Sequence, residues 1–115
     1  MKVKTDKGKA ADLRFLRPEI TRFLFNIEQI VLWHCPWMEE VTITSGNDGK
    51  HLKRSKHYRN QAIDIRTWGN NPNFVYIDDF PSAKNSIIAD LGRLLGEDYQ
   101  IVWHNRDHLH IEWDP

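Results

Sequence analysis

The segment from Gln61 to Arg66 places an aspartate, Asp64, between two isoleucines. Because successive side chains of a β-strand point to opposite faces of a sheet, Ile63 and Ile65 would share one face and Asp64 the other. Because both isoleucines are apolar, we expect the face of the strand that they share to pack against the core. We therefore expect the Asp64 carboxylate on the opposite face, where it is available for chemistry.

The segment from His108 to Trp113 shows the same alternation. Its polar face carries His108, His110 and Glu112. Its apolar face carries Leu109, Ile111 and Trp113. If this strand neighbours the strand of Asp64, the two polar faces coincide and Asp64 can meet His110. His57 lies seven residues before Asp64, on the loop that leads into its strand, and can fold back over both.

Two imidazoles and one carboxylate, from His57, Asp64 and His110, make a ligand set of the kind found in catalytic zinc sites. In such sites, nitrogen and oxygen ligands lie about 2.0 Å from Zn²⁺, and water takes the fourth position. The ion lowers the pKa of that water towards about 7 and polarises the carbonyl group under attack. The set therefore predicts a zinc cofactor and hydrolytic chemistry, although each residue alone is ordinary at a sheet surface.

Hydrolysis also needs a proton acceptor, and two carboxylates are candidates. Asp107 lies three residues before His110, at the turn where the strand begins, so its carboxylate can lean over the metal without being a ligand. We expect Asp107 to be the general base. Glu112, two residues beyond His110 on the same face, is the rival base, and its alternative is a solvated strand residue.

Sequence patterns also predict the elements that position these residues. Apolar positions recur at helical spacing from Pro18 to near Cys35, and a second helix is expected over 83–95, with Gly96 as its stop. Strands are expected at 41–44 and 61–66, separated by a long polar loop. A hairpin of 99–104 and 108–113 closes the domain.

These elements predict an α+β fold with a small antiparallel sheet, helices packed on one face and the site on the other. At 115 residues the chain is long enough for one domain, and the lysine-rich residues 1–12 are expected to be a flexible arm. Cys35 is the single cysteine, so an internal disulfide is excluded. Nothing in the sequence indicates an oligomeric state.

The overall composition favours no strongly charged partner. The chain has 16 basic and 16 acidic residues and a net charge of zero, so we expect neither a nucleic acid nor an anionic membrane surface as a partner. It contains no apolar run long enough to span a membrane and no signal-peptide pattern. We therefore expect a soluble protein.

A pattern of residues in two parts of the chain resembles a known family. Ser55-x-His57-x-x-x-x-Ala62-x-Asp64, followed by Asp107-His108-Leu109-His110, is similar to the motifs of the zinc D-alanyl-D-alanine carboxypeptidases and the related L-alanyl-D-glutamate endolysins. That family reads Ser-x-His-x-x-Gly-x-Ala-x-Asp and then Asp-x-x-His or Glu-x-x-His. The resemblance runs from about Val41 to Trp113.

The resemblance implies a single zinc peptidase domain, with the fold that this family shares with the Hedgehog signalling domain. It implies Zn²⁺ on His57, Asp64 and His110, with Asp107 as base. The implied activity is hydrolysis of a peptide bond in bacterial peptidoglycan stem peptides, as in a lysis enzyme encoded by a phage. Whether the bond is D,D or L,D, and whether cleavage is endo or exo, stays open.

This chain departs from the family at two places. Asn60 replaces the motif glycine, and asparagine is the residue that next best tolerates a left-handed backbone. The arginine that often follows a Ser-Gly pair in the family, where it holds a substrate carboxylate, is missing after Ser45-Gly46. The candidates for substrate binding are Ser55, His108, Lys50 and Arg66, with Arg54 as a further cation.

Two other functions remain open. The Hedgehog resemblance allows a zinc-dependent binding module without hydrolysis. The basic loop residues between Lys50 and Arg59, together with the nearby histidines, allow a metal-dependent nuclease. His34, His51 and His104 have no partner spacing, and surface or helix-face packing is favoured over metal ligation for them.

Overall fold

The computed structural model describes residues 2–3, 13, 16–35, 38, 40–46, 61–66, 80–104 and 108–115. Its elements, in chain order, are β1 (Lys2–Val3), α1 (Pro18–Thr21), α2 (Leu24–His34), β2 (Thr42–Ser45), β3 (Ala62–Arg66), α3 (Phe80–Leu95), β4 (Tyr99–His104) and β5 (His108–Trp113). The described strands form one sheet in the order β1-β2-β3-β5-β4.

The sheet is antiparallel from β2 to β4, as expected for an α+β protein. Among the described strands, only β1 is parallel to its neighbour, with Lys2 opposite Thr42 and Val3 opposite Ile43. This two-residue strand lies within the segment for which we expected a flexible arm. Two residues are too few for an alternating pattern, so the sequence does not reveal such a strand.

One face of the sheet carries the core. The register places Ile63 opposite Ile111 and Ile65 opposite Leu109, and all four side chains are fully buried. Buried residues of the helices belong to the same cluster, among them Ile27, Val31, Ile87 and Leu91. Each such side chain stabilises the fold by about 1.5–3 kcal/mol relative to an exposed one.

The first predicted helix is interrupted, which the periodicity did not indicate. Phe23, between α1 and α2, has φ −102° and ψ −1°, outside regular helical geometry. Its ring packs edge-on against Tyr99, with ring centroids 5.9 Å apart, and the Tyr99 hydroxyl donates to the Glu19 carbonyl at 2.6 Å. The interruption therefore lies where α1 and α2 meet the start of β4.

The other long helix, α3, ends at Leu95 as predicted but begins at Phe80, three residues before the expected start. Gly96 follows it with φ 86°, a left-handed conformation that glycine adopts without strain. Among the helices that the structure describes, none combines the length and apolar character needed to cross a membrane.

We expect Ile111→Ala to lower the free energy of unfolding by about 2–5 kcal/mol. The substitution leaves a cavity at a fully buried position in the core, which is formed by residues of both the sheet and the helices. Val102→Ala is the matched control, since Val102 is 41% exposed on the opposite face of the neighbouring strand. The control should change stability by only about 0.5 kcal/mol. Urea denaturation measures both, and equal losses would contradict the assignment of the core face.

Candidate active site

The face opposite the helices brings Asp64 and His110 together. The two residues are direct cross-strand partners in β3 and β5. The Nδ1 atom of His110 lies 2.8 Å from Oδ1 of Asp64, and their side chains are only 14% and 16% exposed. An imidazole and a carboxylate from positions 46 residues apart are therefore in hydrogen-bond contact at a partly buried surface.

Glu112 also contacts His110, on the other side of the ring. Its Oε1 atom lies 3.0 Å from His110 Nε2, and its side chain is 15% exposed. We expected Glu112 to lie further along the strand as a rival base or a solvated residue. Instead, it brackets the imidazole together with Asp64, because all three side chains project from the same face.

The two carboxylates determine the protonation of His110. Burial lowers the pKa of the imidazole, but the hydrogen bond and charge of Asp64, followed by those of Glu112, outweigh it and raise the pKa above its ordinary value of 6.5. Both ring nitrogens donate hydrogen bonds at once only in the protonated form. Without a metal ion, the arrangement therefore favours the imidazolium.

An irregularity in β2 lies beside Asp64. Ile43 pairs with Ile65, but Ser45 rather than Thr44 pairs with Asp64, so one strand has an extra residue at this point. Such bulges bend a strand and re-aim its side chains, and they are frequent next to active sites. Gly46 is buried directly after the irregularity, where the chain enters the loop predicted to carry His57.

A row of three basic side chains, one each from β3, β5 and β4, lies next to Asp64 and His110. Arg66 is opposite His108, and His108 is opposite His104 in β4. The rings of His104 and His108 are stacked, with centroids 4.9 Å apart and an interplanar angle of 25°. His104 also meets His110 edge-to-face at 5.9 Å.

His104 lies exposed at the end of β4, in agreement with the surface or packing histidine that we expected, but the sequence reasoning did not predict its contacts with two other imidazoles. A signal was available: a hairpin with a three-residue connection between 104 and 108 places these residues opposite each other. His34, by contrast, lies on α2 and pairs with Asp90 of α3 at 2.6 Å, which agrees with helix-face packing. His34 and Arg93 together hold the pKa of the Asp90 carboxyl below its usual range.

Asp64 and His110 supply two donors that suit zinc. Two ligands of a tetrahedral ion at about 2.0–2.1 Å are about 3.3–3.4 Å apart, so a small rotation of either side chain opens the observed 2.8 Å contact enough for a shared ion. Within the described residues, no group of three or more histidine, cysteine, aspartate or glutamate side chains is arranged to hold a metal. The third predicted ligand, His57, lies outside these residues, as do Asp107, Ser55, Lys50, Arg54 and His51.

Comparisons of the chain with protein-family models, with curated proteins and with solved structures found no match. The class of protein is therefore described from its fold and from the geometry of the site. It is an α+β protein whose sheet packs helices against one face and carries an Asp-His-Glu cluster, flanked by two further histidines, on the other.

If Asp64 and His110 Nδ1 share a zinc ion, the Nε2 proton of His110 is held by Glu112, and Glu112→Gln should weaken zinc binding by about 10–100-fold. Competition with a chromophoric chelator measures the affinity. Gln100→Ala is the control, since Gln100 is the cross-strand partner of Glu112 on the same face. Full zinc affinity with lost activity would instead indicate that Glu112 is the base.

In metal-free protein, we expect the stability contributed by His110 to depend on pH. Because the folded-state pKa lies above 6.5, this contribution is complete below that pH and is lost as the pH rises through the folded-state value. The free energy of unfolding of the wild type, relative to His110→Asn, should therefore fall as the pH rises above 6.5 and through the raised folded-state pKa. Denaturation in the presence of a chelator tests this, and a pH-independent difference would refute it.

Proposed function

We propose that this chain is a zinc-dependent peptidase of the Hedgehog/DD-peptidase type that hydrolyses peptide bonds in bacterial peptidoglycan stem peptides. The proposal depends on one observation, the 2.8 Å contact between Asp64 and His110 on the sheet face opposite the helices. These are two of the three ligands that the family resemblance implies. They come from the separate motif halves and meet with side chains that are mostly removed from water.

Asp64 and His110, together with His57, would hold the ion. When bound at such a site, zinc activates a water molecule and polarises the carbonyl group that is attacked. Asp64 contributes a negative charge that favours a cation, and His110 contributes a ring nitrogen on the same side. Glu112 holds the proton on the other ring nitrogen, which fixes both the tautomer and the orientation of the ring.

Glu112 and Asp107 have different roles in this proposal. Glu112 is poorly suited to be the base, because its Oε1 atom already accepts a hydrogen bond from His110 Nε2, away from the Asp64 side of the ring. Asp107 is the residue directly before β5, and it keeps the role of base in this proposal. It accepts a proton from the attacking water and later donates one to the leaving amine.

The proposal predicts that the purified wild-type protein binds one zinc ion and releases new amino groups from bacterial cell wall. His110→Ala should lose both zinc and activity, because it removes a ligand. His34→Ala is the matched control, since it removes a histidine that pairs with Asp90 between the helices. Metal analysis, together with mass spectrometry of muropeptides before and after a chelator, measures zinc and activity and identifies the bond.

Asp107→Asn separates the base from the ligands. It should abolish hydrolysis and leave zinc bound, because an amide cannot accept the proton. Near-normal turnover in this variant would refute the base assignment, and loss of zinc would make Asp107 a ligand. Wild-type protein that binds zinc but releases no amines would be a binding module, whereas cleavage of plasmid DNA would indicate a nuclease.

A further inference from the structure

The outward face of α2 differs from an ordinary solvated helix face. Its exposed residues are two aromatic rings and two amides: Phe25, Trp33, Asn26 and Gln29. A helix that packs on a core usually presents charged and polar residues to water on its other side. The described exposed residues of α3 are small or polar, as this rule expects: Ser82, Asn85, Ala89, Gly92 and Arg93. The outward face of α2 is instead uncharged and half aromatic.

The two rings present a large apolar surface to water. Trp33 is 84% exposed and Phe25 is 69% exposed. Within the described residues, Val102 is the other exposed large hydrophobic residue, at 41%. Enrichment in aromatic residues together with depletion of charge is the composition found at the centre of protein interfaces. The face thus has the chemistry of a surface that another protein covers.

The spacing of these residues makes the face complementary to itself. Gln29 lies four residues after Phe25 and four before Trp33, so the three side chains follow one another along one side of α2, with about 12 Å between the outer two along the helix axis. When two copies of α2 lie antiparallel about a twofold axis at Gln29, Phe25 of each copy meets Trp33 of the other. Gln29 then meets its own counterpart, and two amides can donate to and accept from each other. A twofold contact of this kind uses the same surface on both copies.

The ends of the helix are complementary in charge in the same alignment. The exposed Arg22, two residues before α2, comes to lie beside the last turn of α2 in the other copy. The unpaired carbonyl groups of that turn carry a partial negative charge, which attracts a guanidinium. The antiparallel arrangement also places opposite ends of the two helix dipoles side by side.

The area that this contact buries approaches what a specific dimer needs. Aromatic side chains bury about 150–250 Å² each, so the exposed parts of Phe25 and Trp33 amount to about 300 Å² per copy. Two copies cover about 600 Å² of aromatic surface, and the amides and Arg22 extend the contact towards the roughly 1,000 Å² of a biological interface. An interface of this size suits a weak, reversible dimer.

We propose that the chain forms a twofold dimer through antiparallel contact of α2 with α2 of a second copy. Ile27 and Val31 hold the opposite side of α2 on the core, and Asp64 and His110 lie on the far face of the sheet. The dimer therefore leaves the site of each copy uncovered. It does not depend on the proposed peptidase function, because none of its contacts uses a residue of that site.

Sedimentation equilibrium of the full chain between about 1 and 500 µM tests the dimer. We expect the wild type to dimerise with a dissociation constant of roughly 10–100 µM. Trp33→Gln and Phe25→Gln should each weaken the dimer by at least about 30-fold, because one substitution removes two rings from a symmetric contact. Val102→Gln is the matched control, since it removes an exposed apolar side chain from β4, and it should dimerise like the wild type.

A cysteine at the twofold axis tests the antiparallel register. Packed helices lie about 8–10 Å apart, which brings the two Cα atoms of residue 29 into the range of a disulfide, about 4.4–6.8 Å. Gln29→Cys should therefore form a covalent dimer on oxidation, whereas Asn85→Cys, exposed on α3, should not. The native Cys35 does not compete, because it is fully buried and burial raises the pKa of its thiol to about 12.

A wild type that stays monomeric at the highest concentration would overturn the proposal. Binding of that monomer to phosphatidylcholine vesicles through Trp33 would assign the face to a membrane surface instead. A dimer that Trp33→Gln leaves intact, or that Val102→Gln weakens as much, would place the contact elsewhere and refute it. Should a glutamine variant fail to fold, the crosslink decides, because equal crosslinking of Gln29→Cys and Asn85→Cys contradicts the contact at α2.

Discussion

The fixed register between β3 and β5 is the constraint on which the rest of the structure depends. Ile63 opposite Ile111 and Ile65 opposite Leu109 form the centre of the core, and the residues between them must then face the other way. A slip of one residue in either strand would turn its apolar side chains to solvent and its polar side chains to the helices. The free energy that buries the apolar face thereby also holds Asp64 beside His110, so the stability of the core and the geometry of the site come from one strand pairing.

The Asp-His-Glu cluster is costly as a purely structural feature. Removing an imidazole and two carboxylates from water disfavours their charged forms, and burial is the largest single influence on the pKa of His110. The hydrogen bonds to Asp64 and Glu112 offset that penalty. Apolar residues of similar size would stabilise a sheet surface at least as well. The stability of the fold alone therefore does not account for the cluster.

The strand β5 has a special place in this arrangement. It lies between β3 and β4 and is the strand through which both neighbours reach the site, Asp64 from one side and His104 from the other. The helices contribute to the opposite face of the sheet, through the core residues of α2 and α3. The site thus depends on a hairpin and one neighbouring strand, and the row of Arg66, His108 and His104 crosses the same three strands, with His104 on the outer one of the described sheet.

The alternation of apolar and polar residues along 61–66 and 108–113 was sufficient to predict the two faces of the sheet, because side-chain direction in a strand is a local property. It assigned Ile63 and Ile65 to the core, and Asp64, His110 and Glu112 to the opposite face. The end of α3 at Gly96 was equally local. Three features were decided only by the tertiary structure. They are the interruption of the helix at Phe23, which packs against Tyr99, the extra residue in β2, and the contacts of His110 with Glu112 and His104. The first two depend on contacts between segments of the chain that are distant in sequence, which no local pattern specifies. The contacts of His110 depend on side-chain conformations within the β4–β5 hairpin, where Glu112 is only two residues away.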